Sequence, residues 1–234
     1  MSIAKAMADQ YFVIIPDAVN HGVARHQQAV DYAIMAADIV KLMQEMAISS
    51  AAVLGHSMGG KTAMQLTQQN PELVKCLVVA DIAPIDYPPG HQAVFEAMLA
   101  VRQQLAEIKS RRDADRIMAN HIAEAAVRQF LLKNLQRDKQ GGWHWRLGLD
   151  EIIGSYPAIA AAPSMERSYT GPALFIRGER SGYIQDRAIS VIHTFFPTAE
   201  IKTIEGAGHW LHAEQPEVFN QAVKTFLELN YVQD

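Results

Sequence analysis

The sequence predicts an α/β fold, a mostly parallel sheet with helices on both faces and a helical segment inserted into it. Three observations carry this expectation. Short apolar runs recur along the chain, at 50–55 ("SAAVLG"), 74–84 ("VKCLVVADIAP") and 172–178 ("PALFIRG"). Segments of helical period stand between them, and from 91 to 135 the alternation gives way to an almost wholly helix-forming stretch. Strands that are apolar throughout, joined by helices, belong to parallel sheets covered on both sides.

Taken in order, residues 3–8 read as a helix, and "YFVIIPD" at 11–17 as a short buried strand, β-branched and aromatic and closed by a proline. Across 29–46, Val30, Ile34, Ala37, Val40, Leu42 and Met46 recur at roughly helical spacing, which predicts an amphipathic helix. The run 50–55 is the next strand, and 58–70 a helix that Asn70-Pro71 closes. Residues 74–84 and 172–178 are the third and fourth strands, 199–209 ("AEIKTIEGAGH") the fifth, and about 216–229 the last helix. Between the third and fourth strands, "QAVFEAMLAVRQQLAEIK", "DADRIMANHI" and "EAAVRQFLLKNL" lack any strand signal. The expected organisation is therefore a core made of 1–87 and 169–234, with 88–168 as a helical insertion, or cap. Trp143, Trp145 and Phe130 in that insertion read as its own core.

Composition narrows the function. The chain has 234 residues, 49% hydrophobic and 20% charged, enough for one substantial core, and a formal net charge of −4. That charge leaves no basic footprint for nucleic acid. The lone Cys76 lies inside the apolar run Leu73–Ala80, where it reads as a buried, inert thiol, and no disulfide framework is available. No signal peptide, membrane-spanning run, metal-ligand spacing or dinucleotide fingerprint is visible, so the expectation is a cytoplasmic protein with no cofactor, no metal and no membrane partner.

One stretch carries chemistry. In "LGHSMGGKTAM" (54–64), Gly55-His56-Ser57-Met58-Gly59 matches G-x-S-x-G at a strand-to-helix turn, where the serine hydroxyl is presented above the strand's carboxyl end. The glycines at 55 and 59 are expected to be places where a Cβ would crowd the adjoining backbone, and the helix N-terminus adds positive potential. His56 reads as a packing residue beside the turn. A rival pattern occupies the same residues: "GHSMGGKT" satisfies the phosphate-loop spacing G-x-x-x-x-G-K-[ST], and Asp81 ends an apolar strand as a magnesium-binding residue would. The local pattern does not separate the two.

The rest of the chain does. "GHSMGGK", "DIAPIDY" and the later "GAGHWLHAEQP" together resemble the α/β-hydrolase superfamily, and are similar to its YbfF-type esterase group, over nearly the whole chain. The resemblance implies the α/β-hydrolase fold with a helical cap, and hydrolysis of carboxylic esters or acyl thioesters. It implies that Ser57 is the nucleophile and that the base lies in the last histidine loop, where Gly206 and Gly208 let His209 reach over the sheet edge. His212, three residues on, is the competing base; Trp210 and Glu214 read as packing and loop-pinning residues. The acid usually follows the fourth strand, three residues after a glycine, but Ser181 occupies that place in "LFIRGERSGYI". Asp81 is the preferred acid, because strand ends on one rim converge and the esterase group carries an aspartate there, with Ser181 as an auxiliary hydrogen-bonding group. Asp186 and Glu179 stay open as alternatives. Tyr183 is expected either to face substrate or to pack.

Of the two oxyanion donors the superfamily uses, the N–H of Met58 is present. The second would lie in a His-Gly loop after an earlier strand, and His21-Gly22 follows the wrong one. By resemblance, about 30 residues carrying the first three strands are lacking, which would open a slot in the sheet beside 50–55. Self-association is one way to fill it. The reading is a serine hydrolase acting on a small ester or acyl-thioester substrate. The alternative from another class is a fold that binds without turnover because its oxyanion loop is incomplete.

Overall fold

The structure, a computed structural model, describes residues 2–231. In chain order the elements are α1 (Ile3–Met7), α2 (Tyr32–Glu45), β1 (Ala51–His56), α3 (Met58–Gln69) and β2 (Val74–Ala80), then α4 (Gln92–Gln103), α5 (Arg111–Met118), α6 (Ala125–Leu131), β3 (Leu135–Arg137), β4 (Trp143–Trp145) and α7 (Leu149–Ala160). The chain closes with β5 (Ala173–Gly178), α8 (Asp186–Phe195), β6 (Glu200–Ile204), α9 (Leu211–Glu214) and α10 (Pro216–Asn230). Two compact units result: 1–16 with 31–86 and 161–234, and 17–30 with 87–160.

The first unit is the α/β body. Its four strands run parallel in the order β1-β2-β5-β6. Consecutive strands joined through helices give this arrangement because a parallel pair needs a long crossover connection. β2 is buried along nearly its whole length, and Cys76 within it is fully buried, which pushes its thiol pKa up to about 11. Against this face pack Leu211, Phe219, Val223 and Phe226 from α9 and α10, together with Met7 of α1.

On the other side, α3 presents a buried polar edge. Lys61, Gln65 and Gln68, at i, i+4 and i+7, lie on one face of a helix, and each meets the segment through which the chain returns to this unit. The Lys61 Nζ donates to the Ala161 carbonyl at 2.6 Å, Gln65 Oε1 accepts from the Ser164 N–H at 2.7 Å, and Gln68 Oε1 accepts from the N–H groups of Glu166 and Arg167, both at 3.1 Å. The return to the first unit therefore falls at Ala161, earlier than the expected residue 169.

The expected strand at 11–17 does not form. Residues 12–16 carry no regular secondary structure, and Phe12 and Ile15 stand 83% and 76% exposed. A strand is a pairing, and among the described residues this apolar run pairs with none of the four strands β1-β2-β5-β6. Composition alone predicted a partner that these residues do not have.

The second unit is mostly helical around its own apolar cluster, which includes Met98, Val101, Met118, Leu132, Leu135 and Leu149, with Trp143 and Trp145 packed against it. Phe130 is exposed instead, with the Lys133 ammonium over its ring. The unit also holds an antiparallel hairpin, β3–β4, that helical composition concealed. Asp138 builds its turn, its carboxylate accepting from the N–H groups of Gln140 and Gly142. Residues 17–30 belong to this unit through bonds to its backbone: the Gly22 N–H donates to the Arg146 carbonyl at 2.6 Å and the Gly148 N–H to the Asn20 carbonyl at 2.8 Å.

Candidate active site

The site is assembled at the carboxyl ends of the strands in the first unit, and its register follows from the ladder. His56 of β1 stands opposite Ala80 of β2, so the next residues, Ser57 and Asp81, leave adjacent strands at the same level. The Ser57 N–H donates to the Ala80 carbonyl at 3.0 Å and the Asp81 N–H to the Ile176 carbonyl at 2.8 Å, carrying the sheet pattern one residue past each strand.

Both residues then turn sharply. Ser57 has φ 52 and ψ −118, and Asp81 has φ 51. Positive φ in a non-glycine residue costs about 1–3 kcal/mol and survives only where its surroundings enforce it. Here the enforcement is close packing between β1 and α3: a Cβ on Gly55 would sit 2.1 Å from the Gly59 carbonyl oxygen. The expectation that Gly59 is equally crowded fails, since a Cβ there meets nothing within 4 Å; the second tight position is Gly60, where a Cβ would lie 2.6 Å from Ile82. Gly59 starts the outward face of the helix, whereas Gly60 faces the sheet. Ser57 occupies the N-cap position of α3 but makes no side-chain cap bond, and Met58 is the first residue of that helix. The first N–H groups of a helix have no intrahelical acceptor and sit at its positive end.

Asp81 is fully buried, 0% exposed, and its carboxylate is held from three sides. Oδ1 accepts from the Gly178 N–H at 3.1 Å; Oδ2 accepts from the Ser181 hydroxyl and lies 2.8 Å from Nδ1 of His209. A buried carboxylate is tolerable when it is hydrogen-bonded and faces a partner that can be charged, and this one has both. Because the carboxylate accepts, Nδ1 of His209 carries a proton, so in the neutral ring the lone pair is on Nε2.

The loop bearing His209 comes over the rim by close contact. A Cβ on Gly178 would lie 2.3 Å from the Gly208 carbonyl oxygen, and Gly206 takes φ +67. Glu179 accepts from the Gly206 N–H at 2.8 Å; Glu214 accepts from the Gly208 N–H at 2.9 Å and the Trp210 N–H at 3.2 Å. The alternative acids are thus engaged elsewhere: Glu179 pins the loop, and the largely exposed Asp186 pairs with Arg177 at 3.0 Å. Tyr183 stacks on the His209 ring, centroids 4.1 Å apart and 25° between planes, while its N–H donates to Ser181 Oγ at 3.3 Å. The His212 ring packs against Phe219 and Trp210.

The residues of the phosphate-loop pattern are committed inside the fold. Lys61 is 2% exposed, with its Nζ on the Ala161 carbonyl and 5.6 Å from the centre of the Tyr32 ring. Burial pulls its pKa down to about 8, with Asp86 acting in the opposite direction. The Thr62 hydroxyl donates to the Met58 carbonyl at 3.0 Å, one turn back on its own helix. Asp81 faces His209. Among the described residues, no group of three or more His, Cys, Asp or Glu side chains could hold a metal ion, and no helix is long and apolar enough to cross a membrane.

With the elbow, the buried carboxylate and the histidine loop in place, likeness to known proteins is decisive. The family model described as the alpha/beta hydrolase fold matches residues 1–216. The chain belongs to the α/β-hydrolase family. Among its relatives in this family is the mouse sn-1-specific diacylglycerol lipase ABHD11, 39% identical over 97% of this chain and 75% of the relative. Esterase YbfF of Escherichia coli (strain K12) is 34% identical over 96% of this chain and 86% of its own length. A solved structure, a marine microorganism esterase, superposes with a TM-score of 0.92 at 37% identity, covering 96% of this chain and 88% of that one.

Proposed function

We propose that this chain hydrolyses carboxylic esters or acyl thioesters through an acyl-enzyme on Ser57. The observation that carries the reading is the His209 Nδ1–Asp81 Oδ2 contact at 2.8 Å, on the rim where Ser57 leaves β1. That contact fixes the tautomer that leaves Nε2 free to accept a proton. Relatives named as esterases and as a diacylglycerol lipase support an acyl ester as the substrate class.

In this mechanism the Ser57 oxygen attacks the acyl carbon while His209 Nε2 removes its proton. General-base assistance of this kind is worth about 10²–10⁴-fold. Asp81 keeps the imidazole oriented and stabilises the imidazolium that forms, without taking the proton itself. The Met58 N–H, at the positive end of α3, stabilises the oxyanion; one such donor is worth about 2.7–4 kcal/mol. His209 then protonates the leaving alcohol or thiol. Water enters, His209 removes its proton, and the acyl group leaves as the acid, restoring Ser57. Ser181 holds Oδ2 of Asp81 in place, and Tyr183 supports the face of the imidazole that it covers.

A fluorophosphonate probe is expected to label the wild type and not Ser57→Ala, whose turnover of p-nitrophenyl esters should fall about 10⁴–10⁶-fold. A folded wild type that binds esters yet stays unlabelled overturns the reading in favour of a binding-only fold. Rates on p-nitrophenyl esters and acyl-CoAs of increasing length then rank the acyl group and the leaving group.

A further inference from the structure

His56, which by sequence reads as packing, makes a directed contact. It is the last residue of β1, immediately before Ser57, and its Nε2 lies 2.8 Å from the main-chain oxygen of His209. A carbonyl only accepts, so Nε2 bears a proton and donates to it. The two imidazoles pack with centroids 4.6 Å apart, and the His56 ring also meets His212 at 4.7 Å and Trp210 at 5.4 Å.

Other main-chain bonds that hold this loop, from Glu179, Arg180 and Glu214, tie it to the segment after β5 and to α9. The His56 bond ties it to the strand of the nucleophile. One side chain thus connects the residue before Ser57 to the main chain of the residue that would deprotonate it. A shift of about 1 Å between reacting groups can cost about 10²-fold in rate, so the link acts where placement matters most.

We propose that His56 is a positioning residue, a neutral strut that sets the distance between the nucleophile's strand and the loop of the base. The proposal rests on the reading of Ser57 and His209 given above. Neutrality belongs to the design, because the groups facing His56 are His209, His212 and Asp81, and a cation at 56 would oppose the imidazolium that forms on His209 during turnover. Burial, followed by the charge of His209, pulls the His56 pKa down to about 4, so the strut is uncharged at neutral pH.

The test compares substitutions that keep the donor with ones that remove it. In His56→Gln the amide nitrogen stands close to the former Nε2; His56→Leu and His56→Phe fill the space and have no donor. For Leu and Phe variants that melt as cooperatively as wild type, kcat on a p-nitrophenyl ester and the rate of fluorophosphonate labelling should both fall about 10–100-fold, with KM within about twofold. His56→Gln should recover both rates to within about fivefold of wild type. Equal activity of all three variants with wild type overturns the proposal, and so does an equal loss in all three that follows their melting temperatures, which is the signature of packing alone. A folded wild type that the probe does not label overturns the reading of Ser57, and the strut with it. A labelled wild type with an unimpaired Leu variant overturns the strut only.

Discussion

β1 and β2 lie side by side and end alike, each on a non-glycine residue at positive φ, yet they present opposite side chains. Ser57 is half-buried and its hydroxyl is not spent on capping the helix that follows. Asp81 is fully buried and its carboxylate meets three partners. The same backbone device leaves one group available and immobilises the other. What differs is the connection afterwards: β1 passes straight into α3, which leaves the Ser57 hydroxyl without a cap bond, while Asp81 is enclosed by Gly178, Ser181 and His209. Strain at a strand end aims a side chain, and its neighbours decide whether that side chain can react.

The sharpest way to break the comparison is to remove charge on the pinned side. Asp81→Asn keeps the shape, but its amide cannot accept from Nδ1–H as a carboxylate does, and kcat on a p-nitrophenyl ester should fall about 10³–10⁴-fold while the fold persists. On the available side the backbone is the weak point. Gly55→Ala would place a Cβ against the Gly59 carbonyl and should cost about 3 kcal/mol in urea unfolding, whereas Gly59→Ala should be tolerated within about 0.5 kcal/mol.

Acid should expose the neutral His56. Its folded pKa lies near 4, below the ordinary histidine value of 6.5, so between those values the unfolded chain holds a proton that the folded chain does not. Stability therefore rises with pH across that window and is lost as pH falls through it, by about 3 kcal/mol from this group; His56→Gln should flatten that part of the profile in urea titrations. The smallest effect is expected at Ser181→Ala, about tenfold in kcat, because the Asp81 carboxylate keeps the Gly178 N–H and His209.

Much of this arrangement was readable in the residues. The apolar runs that became β1, β2 and β5, and the helix after Ser57, were legible because the sequence pattern and the long-range environment agree there. Residues 11–17 were misread because strand propensity says nothing of whether a partner strand exists. The β3–β4 hairpin was hidden by three-residue strands, too short to show a period. At the site, the spacing G-x-S-x-G marked Ser57, and converging strand ends pointed to Asp81 and His209 as neighbours, which the structure brings together. Crowding was expected at Gly59 and is found at Gly60, because which one faces the sheet depends on how α3 is seated, a tertiary fact. His56 carried no signal at all: its acceptor is a main-chain oxygen 153 positions away, and main-chain atoms leave no trace in residue identity.

That last point extends to the polar edge of α3. The side chains of Lys61, Gln65 and Gln68 all grip main-chain atoms of 161–167, and in return the Arg167 guanidinium donates to the Gln68 carbonyl at 2.9 Å. The two surfaces therefore stand under unequal constraint. In a saturation library, the three helix positions should accept few replacements, while residues 161–166, addressed by their peptide groups, can drift in identity as long as their path is kept, and Arg167, whose guanidinium caps the Gln68 carbonyl, cannot. Arg167 apart, the recognition is sequence-blind in one direction only.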